Sequence, residues 1–279
     1  MQQVLRGKVA VVTGASRNGG RGIALALGEA GATVYVTGRS IRDASTTDDP
    51  SETIDHTAAL VTARGGTGIA IQVDHTADEQ VEALFSRVQR EQNRLDILVN
   101  NAWGGYEMAD GFGDNKPFWE LPLRQWELMQ NIGLRSHLIA SRFAAPLMLG
   151  RQHALIVNTT TGIPPLGKYH GHLFYDTVKI AINRMSHGMA QDCRPYGITV
   201  VALSLGDAKL YMRTWELDAE QPANPHASFQ TFSPEYAGRA VVGLAADPDI
   251  MKKSGFVPYL EVPALAREYG FTDIDGTQP

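Results

Sequence analysis

Short apolar runs rich in β-branched residues alternate with segments of helical periodicity along nearly the whole chain. The strand candidates are residues 9–13, 33–37, 68–73, 95–100, 154–158, 198–203 and 255–260. The helix candidates are residues 21–29, 54–63, 78–89, 123–148, 173–193 and 234–246. Because such strands are apolar on both faces, their alternation with helices predicts an α/β fold with a doubly wound, mainly parallel sheet.

The length of 279 residues fits one Rossmann-like sheet with helices on both faces, so residues 1–279 are predicted to form a single domain. An acidic polar stretch at residues 43–55 predicts a loop insertion after the second strand. Stretches rich in Gly and Pro predict long loops at residues 104–122 and 206–233, the second of them a substrate loop. Doubly wound sheets bind ligands beyond the carboxyl ends of their strands, where such loops meet.

Charge and composition narrow the class of partner. With 25 basic and 30 acidic residues and a formal net charge of -5, the chain favours a small-molecule ligand over nucleic acid or an anionic membrane. No apolar run approaches the roughly 18 residues needed to span a bilayer. Cys193 is the only cysteine, which excludes internal disulfides and fits a reducing compartment. These features predict a cytoplasmic protein with no membrane span.

Residues 13–22, TGASRNGGRG, join the first strand candidate to a helix and predict a phosphate-binding turn. Ser16 stands two residues after Gly14, so the G-x-G-x-x-G pattern fails, and a Walker A loop fails because no Lys-Ser/Thr pair follows Gly20. Gly14 allows a sharp turn, and Gly20 allows a helix to start close to a pyrophosphate. Asn18 is predicted to take a left-handed conformation in place of glycine. An ordinary glycine-rich turn is the alternative.

Several spaced elements resemble those of the short-chain dehydrogenase/reductase family over almost the whole chain. They are T-G-x-x-x-G-x-G at Thr13, Gly14 and Gly20, N-N-A-G at Asn100-Asn101-Ala102, the helix-four asparagine at Asn131, and Y-x-x-x-K at Tyr175 and Lys179. The stretches NKPFWELPLRQWELMQNIGLRSH and REYGFTDIDG are similar to the narrower group around dehydrogenase/reductase member 1. The resemblance implies oxidoreductase chemistry with a nicotinamide cofactor, in a homodimer or homotetramer.

Tyr175 and Lys179 are four residues apart on a predicted helix, so their side chains share a face. An unperturbed tyrosine has a pKa near 10, and a nearby cation lowers such a value by roughly 1 to 3 units. The resemblance implies that Tyr175 gives a proton to a carbonyl oxygen as hydride reaches the carbon, and that Lys179 also holds the nicotinamide ribose. A partly buried tyrosine beside a solvated lysine is the alternative.

Two further catalytic residues are predicted by the resemblance. Thr161 stands where the family usually has a serine, and its hydroxyl can donate to a carbonyl oxygen, with Thr160 as the substitute if the loop is shifted by one residue. A threonine bonded to its own backbone is an equal alternative. Asn131 is assigned to a water and proton path behind Lys179. Trp103, Leu205 and Leu210 depart from the family pattern around the reactive end of the cofactor.

The choice of cofactor follows from the end of the second strand. An acidic residue there would bind the adenosine ribose and repel a 2′-phosphate, but Gly38 occupies that position. Arg39 follows it, and Arg17 lies in the first turn, so two guanidinium groups are placed for the phosphate of NADP(H). Asp74 resembles the family's adenine contact, or caps the next helix. Ser16 and Asn101 complete the predicted cofactor-binding set.

Large apolar side chains concentrate in the two long loops and predict a hydrophobic substrate. They are Trp103, Tyr106, Phe112, Phe118, Trp119, Tyr211, Met212 and Trp215. No metal site is predicted, because His170 and His172 lack evident acidic or cysteine partners. We therefore expect an NADP(H)-dependent oxidoreductase that interconverts carbonyl and alcohol groups on a small hydrophobic substrate. The alternatives are a nucleotide-binding regulatory or scaffold protein with little turnover, and a reductase of activated C=C bonds.

Overall fold

The computed structural model describes residues 3–47, 49–105, 116–151, 153–162, 169, 171–205 and 232–277. The strands are β1 (Val9–Val12), β2 (Thr33–Gly38), β3 (Thr67–Gln72), β4 (Ile97–Asn100), β5 (Ala154–Thr160), β6 (Ile198–Ser204) and β7 (Leu260–Glu261). The α-helices are α1 (Asn18–Glu29), α2 (Ile54–Ala63), α3 (Asp78–Gln92), α4 (Leu123–Leu128), α5 (Ser136–Met148), α6 (Leu173–Cys193), α7 (Pro234–Ala246) and α8 (Val262–Tyr269). A π-helical segment, Met129–Arg135, joins α4 to α5.

The strands form one seven-stranded sheet in the order β3-β2-β1-β4-β5-β6-β7, and every pair in it is parallel. The doubly wound α/β prediction is therefore confirmed. After β3 the chain crosses to the other side of β1, so β1 lies between β2 and β4. Such a reversal opens a crevice at the carboxyl ends of the central strands.

Alternating side chains of the central strands supply two hydrophobic cores, one on each face of the sheet. Along β2, Val34 and Val36 belong to the core under α1, α2 and α7, while Tyr35 belongs to the core under α3 and α5. Both faces are covered, which explains why the strands are apolar at nearly every position. None of the helices within the described ranges combines the length and apolarity that crossing a bilayer requires.

Two predicted elements differ from the structure. The helix expected at residues 123–148 is interrupted, because the Ser136 N–H bonds to the Asn131 carbonyl five residues back and forms the π-helical segment. The strand expected at residues 255–260 pairs only at Leu260 and Glu261. Pro258 has no N–H to give to a strand ladder, so pairing starts after it.

The loops flanking the crevice are described in part. The insertion predicted at residues 43–55 overlaps the start of α2 at Ile54. There the Thr53 hydroxyl accepts a hydrogen bond from the His56 N–H. Residues 206–231 lie outside the described residues. Only the last two residues of the predicted substrate loop are therefore described, and Ser233 is the N-cap of α7.

Candidate active site

A cleft lies over the carboxyl ends of the central strands. It is lined by side chains and backbone that follow β1 to β6, together with the amino-terminal half of α6. The predicted site residues among its lining are Gly14, Ser16, Arg17, Asn18, Gly20, Arg39, Asp74, Asn101, Thr161, Tyr175 and Lys179. Asn131 is not among the residues that line it.

The turn from β1 into α1 has the backbone conformation that its glycines predict. Gly14 has φ 63° and Asn18 has φ 48°, so the left-handed conformation predicted for Asn18 is confirmed. A Cβ on Gly20 would lie 2.3 Å from the Gly14 carbonyl oxygen, and one on Gly14 would lie 2.8 Å from the Ala102 Cα. Only glycine fits at these two positions, so the backbone can approach a bound group closely.

Asn101 braces this turn against the end of β4. Its side-chain amide donates to the Thr13 and Gly14 carbonyls at 3.1 and 3.0 Å. The Thr13 hydroxyl in turn accepts hydrogen bonds from the Asn101 and Ala102 N–H groups at 2.9 and 3.0 Å. The asparagine predicted to contact a cofactor therefore also fixes the shape of the glycine turn.

Two arginines, Arg17 and Arg39, line the part of the cleft that lies next to the end of β2. Arg39 is half-buried directly after β2. Arg17, the N-cap of α1, lies with Nη1 3.5 Å from the carboxylate of Glu52 in the β2–α2 connection. The hydroxyls of Ser40 and Thr46 lie 2.6 Å apart beside them and also line the cleft. Arginines and hydroxyls are the groups that bind a phosphate monoester.

Asp74 follows β3 and also lines the cleft. It accepts hydrogen bonds from the Thr76 N–H and hydroxyl at 2.9 and 2.7 Å, while the N-cap of α3 is Ala77. Burial opposes ionisation of Asp74, but the Thr76 hydrogen bonds and the nearby charge of Arg39 lower its pKa. Asp74 therefore forms the turn before α3 rather than capping that helix.

Tyr175 and Lys179 share one face of α6, as their spacing predicts, and both side chains are buried. The helix starts at His172, whose Nδ1 accepts from the Tyr175 N–H at 3.3 Å and whose Nε2 lies 3.2 Å from the Gln125 Oε1. His172 thus caps the helix, while His170 lies outside the described residues. Burial lowers the pKa of Lys179 to about 7.

Trp103 packs directly against this pair. The Lys179 Nζ lies 4.2 Å from the centroid of the Trp103 ring, and the Tyr175 ring meets the indole edge to face at 5.5 Å. His137 of α5 lies in the same interior, and burial together with the charge of Lys179 lowers its pKa to about 3. His137 is therefore neutral around pH 7.

The two candidate threonines lie at the end of β5: Thr160 is its last residue and Thr161 follows it. The Thr160 hydroxyl donates to the Lys179 backbone carbonyl at 3.2 Å and so ties β5 to α6. Thr161, one residue further, is buried and lines the cleft. Both threonines are buried and both line the cleft, and the choice between them as the donor to a substrate stays a prediction.

Asn131, predicted to support a water and proton path behind Lys179, lies in the π-helical segment, and that role stays a prediction. The Asn131 side chain is exposed, whereas Ile132 lines the cleft and Gly133 is buried against Trp103. The π-helical segment is the cause, because an inserted residue rotates the following side chains by roughly 100° around the helix axis. Matching this sequence to a family motif residue by residue does not reveal such a rotation. The only sequence feature that points to the irregular helix is the glycine at position 133.

The aromatic residues predicted to surround a substrate divide into three sets. Trp103 lines the cleft. Phe118 and Trp119 are exposed and contact each other at 5.2 Å between ring centroids. Tyr106, Phe112, Tyr211, Met212 and Trp215 lie outside the described residues, as does Leu210, while Leu205 lines the cleft.

Comparisons with known proteins identify the family of the chain. Residues 8–220 match the short chain dehydrogenase family. The chain belongs to the short-chain dehydrogenase/reductase family. Dehydrogenase/reductase SDR family member 1 of Mus musculus is 38% identical over 285 residues, which cover 98% of this chain and 85% of the mouse protein.

Solved structures of this family share the fold. A short chain dehydrogenase of Mycobacterium thermoresistibile superposes with a TM-score of 0.78 at 24% identity, covering 97% of this chain and 90% of that one. A metagenomic short-chain oxidoreductase in complex with NADP superposes with a TM-score of 0.69 at 23% identity, covering 92% and 96%. At these identities the likeness shows the fold alone.

The family uses nicotinamide cofactors, and the residues of the cleft fit such a group. Gly14 and Gly20 leave the space that a Cβ would fill at the amino-terminus of α1, where backbone N–H groups and the helix dipole favour a pyrophosphate. Arg17 and Arg39 supply positive charge at one end, and Tyr175 and Lys179 lie at the other. The donor set is therefore that of a dinucleotide site.

Proposed function

We propose that this short-chain dehydrogenase/reductase is an NADP(H)-dependent oxidoreductase that interconverts a carbonyl and an alcohol on a small hydrophobic substrate. The observation that carries the proposal is the buried Tyr175 and Lys179 pair in the same cleft as the glycine turn. A phenol, an ammonium and a hydroxyl then face one space beside a dinucleotide site. Bound NADPH would supply the hydride.

Side chains of this protein donate the proton and stabilise the charges that its transfer creates. The Tyr175 Oη donates to the carbonyl oxygen as negative charge develops there, and the Thr161 hydroxyl donates a second hydrogen bond to the same oxygen. Lys179 stabilises the phenolate that Tyr175 leaves behind, and would also hold the nicotinamide ribose. Because these side chains are mostly buried, their electrostatic effects are stronger than in water.

The preference for NADP(H) is supported by the end of β2. Gly38 replaces an acidic side chain there, and Arg39 and Arg17 place two guanidinium groups at the cleft. The Ser40 and Thr46 hydroxyls, 2.6 Å apart, add hydrogen-bonding groups to the same region. A 2′-phosphate would meet complementary positive charge at this position, which an acidic side chain there would have opposed.

The experiment is to incubate the protein with NADPH and a panel of hydrophobic ketones, aldehydes and quinones. We expect NADPH consumption to match the alcohol formed, and Tyr175→Phe to bind NADPH normally while losing roughly two to four orders of magnitude in kcat. Normal turnover by Tyr175→Phe, with hydride transfer shown to limit the rate, would exclude Tyr175 as the acid. NADPH binding without any turnover favours a binding or scaffold role, and saturation of an activated C=C bond favours the other alternative.

A further inference from the structure

The Trp103 indole has a place in the site that the proposed chemistry does not explain. A Cβ on Gly105 would lie 2.4 Å from its Cζ2, and a Cβ on Gly133 would lie 2.5 Å from its Cζ3. Contacts this short do not occur, so the ring occupies space that exists only because both residues are glycine. Gly133 belongs to the π-helical segment, and a glycine inside a helix costs about 1 kcal/mol relative to alanine. The packing of the indole is a physical reason for that glycine.

The same indole contacts both members of the proposed acid and base pair. The Lys179 Nζ lies 4.2 Å from its ring centroid, within the range of a cation–π interaction. The Tyr175 ring meets it at an interplanar angle of 88°, an arrangement that aromatic pairs favour. Tryptophan gives the strongest cation–π interaction, and exclusion of water strengthens it further.

Few other charges face the Lys179 amine within the described residues. Tyr175 and the buried Asp176 lie within one turn of Lys179 on α6. His137 reaches the site from α5, and His75 of the β3–α3 loop is electrostatically coupled to His137. Burial lowers the pKa values of His137 and His75 to about 3 and about 4, so both are neutral near pH 7.

The strands β5 and β6 that pack on α6 carry no titratable side chain, and Arg135 of the π-helical segment is in an exposed ion pair. Two ring faces within cation–π range favour the charged form of the amine, and the Trp103 indole, at 4.2 Å, is closer than the Tyr175 ring, at 5.6 Å.

We propose that Trp103 is a positioning residue, whose face holds the Lys179 ammonium and whose edge contact holds the Tyr175 ring in line for proton transfer. The inference rests on the proposed carbonyl and alcohol chemistry. Its first test needs no turnover, because the protonation of Lys179 is measured directly.

The test uses the whole chain labelled with ¹³C at the lysine ε-carbons, titrated by NMR without added cofactor, with Lys179→Met to assign the signal. We expect Trp103→Leu to lower the Lys179 midpoint by about one pH unit, and Trp103→Phe, which keeps a ring face, to lower it by less. An unchanged or raised midpoint in folded Trp103→Leu would overturn the proposal.

Gly133→Ala tests the same contact from the other side. Its methyl group takes the space of the indole, so we expect a lower Lys179 midpoint and a fall in kcat of roughly tenfold or more. Gly188→Ala is the matched control within α6, because a Cβ there would lie no closer than 3.4 Å to a neighbour. In the double variant Gly133→Ala/Trp103→Phe, we expect the same Lys179 midpoint as in Trp103→Phe alone. Phenylalanine has one ring where the indole has two fused rings, so it leaves room for the added methyl group. The inference is contradicted if Gly133→Ala keeps the parental Lys179 midpoint and kcat. It is also contradicted if the Lys179 midpoint of the double variant is no higher than that of Gly133→Ala.

The pH profile separates positioning from simple damage. In Trp103→Leu the alkaline limb of kcat/KM should move to lower pH together with the Lys179 midpoint. An equal loss of kcat/KM at every pH would assign Trp103 a purely structural role. If Tyr175→Phe keeps full turnover, the proposed function fails while the Lys179 midpoints still stand. If Tyr175→Phe is inactive but Trp103→Leu leaves the midpoint unchanged, only the Trp103 inference fails.

Discussion

The Lys179 amine is buried, so its charged form loses hydration when the chain folds. This loss has a measurable effect on the free energy of unfolding. Burial lowers its pKa from 10.5 in the unfolded chain to about 7 in the fold. Between these two pH values the unfolded chain binds more protons, so the contribution of Lys179 to stability rises with pH and the destabilisation is greatest below pH 7. The buried amine therefore lowers the free energy of unfolding at pH 7 and below.

We therefore expect Lys179→Met to be more stable than the parent at pH 7. The difference should narrow by up to about 1.4 kcal/mol per pH unit as the pH rises toward 10. Urea unfolding at pH 7, 8.5 and 10 measures it, with the exposed Lys252→Met as the control that shows no such slope. A stability difference that is the same at all three pH values would contradict the buried-amine account.

Thr160 and Thr161 are adjacent, yet valine should affect them differently. Thr161→Val removes the proposed donor to substrate and should lower kcat/KM by roughly ten- to a hundredfold with NADPH affinity nearly unchanged. Thr160→Val removes the hydroxyl that donates to the Lys179 carbonyl, so it should cost about 1 kcal/mol of stability. Thr161→Ser keeps the donor and should preserve catalysis. Steady-state kinetics and urea unfolding of all three variants test the assignment, and a larger kinetic loss in Thr160→Val would reverse it.

At the scale of elements, the apolar periodicity of the sequence predicts the strands and the class of sheet. It does not predict a change of the backbone hydrogen-bond pattern inside a helix. The apolar runs of β1, β2, β4, β5 and β6 are buried on both faces, while β3 at the sheet edge is only partly buried, so strands and sheet class could be predicted. The break in the long helix could not, because residues 129–135 keep an apolar pattern while the hydrogen bonds change from four to five residues back. That change turns Asn131 outward and Gly133 toward Trp103. The glycine turn was predictable because Gly14 and Asn18 act through their own backbone conformations.

The β2–α2 connection depends on one side chain that sequence pattern did not single out. Arg21 of α1 is buried, donates from Nε to the Thr57 hydroxyl at 3.0 Å, and donates from Nη2 to the Ser51 carbonyl. Burial lowers its pKa, while Glu52 and other nearby carboxylates oppose that effect. Arg21 therefore attaches the connection to the helix that begins at the glycine turn.

Replacing this arginine should release the connection. Arg21→Met removes the hydrogen bonds to the Ser51 carbonyl and the Thr57 hydroxyl, so we expect a loss of about 3 kcal/mol in the free energy of unfolding and weaker NADPH binding. Arg42→Met is the matched control on the same connection, where the side chain is exposed and the expected change is under about 0.5 kcal/mol. Equal stability of the two variants in urea would show that Arg21 does not anchor the connection.

At the scale of the whole molecule, the cleft draws on segments that are distant in sequence. The cleft is lined at or just beyond the carboxyl ends of five different strands by Gly14, Gly38, Asn101, Thr161 and Leu205. The site therefore exists only when the complete sheet is folded. A cofactor that binds there stabilises the native state and has no comparable site on the unfolded chain.

Cofactor preference should accordingly appear in global stability. At a concentration of about 100 times its Kd, NADPH should raise the free energy of unfolding by about 2.7 kcal/mol, and NADH at the same concentration should raise it by less. Arg39→Ala should weaken NADPH binding by about ten- to a hundredfold and leave NADH binding nearly unchanged, because the side chain is proposed to meet only the 2′-phosphate. Arg42→Ala removes a nearby exposed arginine and controls for the loss of one positive charge. Urea unfolding with each cofactor, followed by circular dichroism, measures these differences; equal stabilisation of the parent by both cofactors would defeat the NADP(H) assignment.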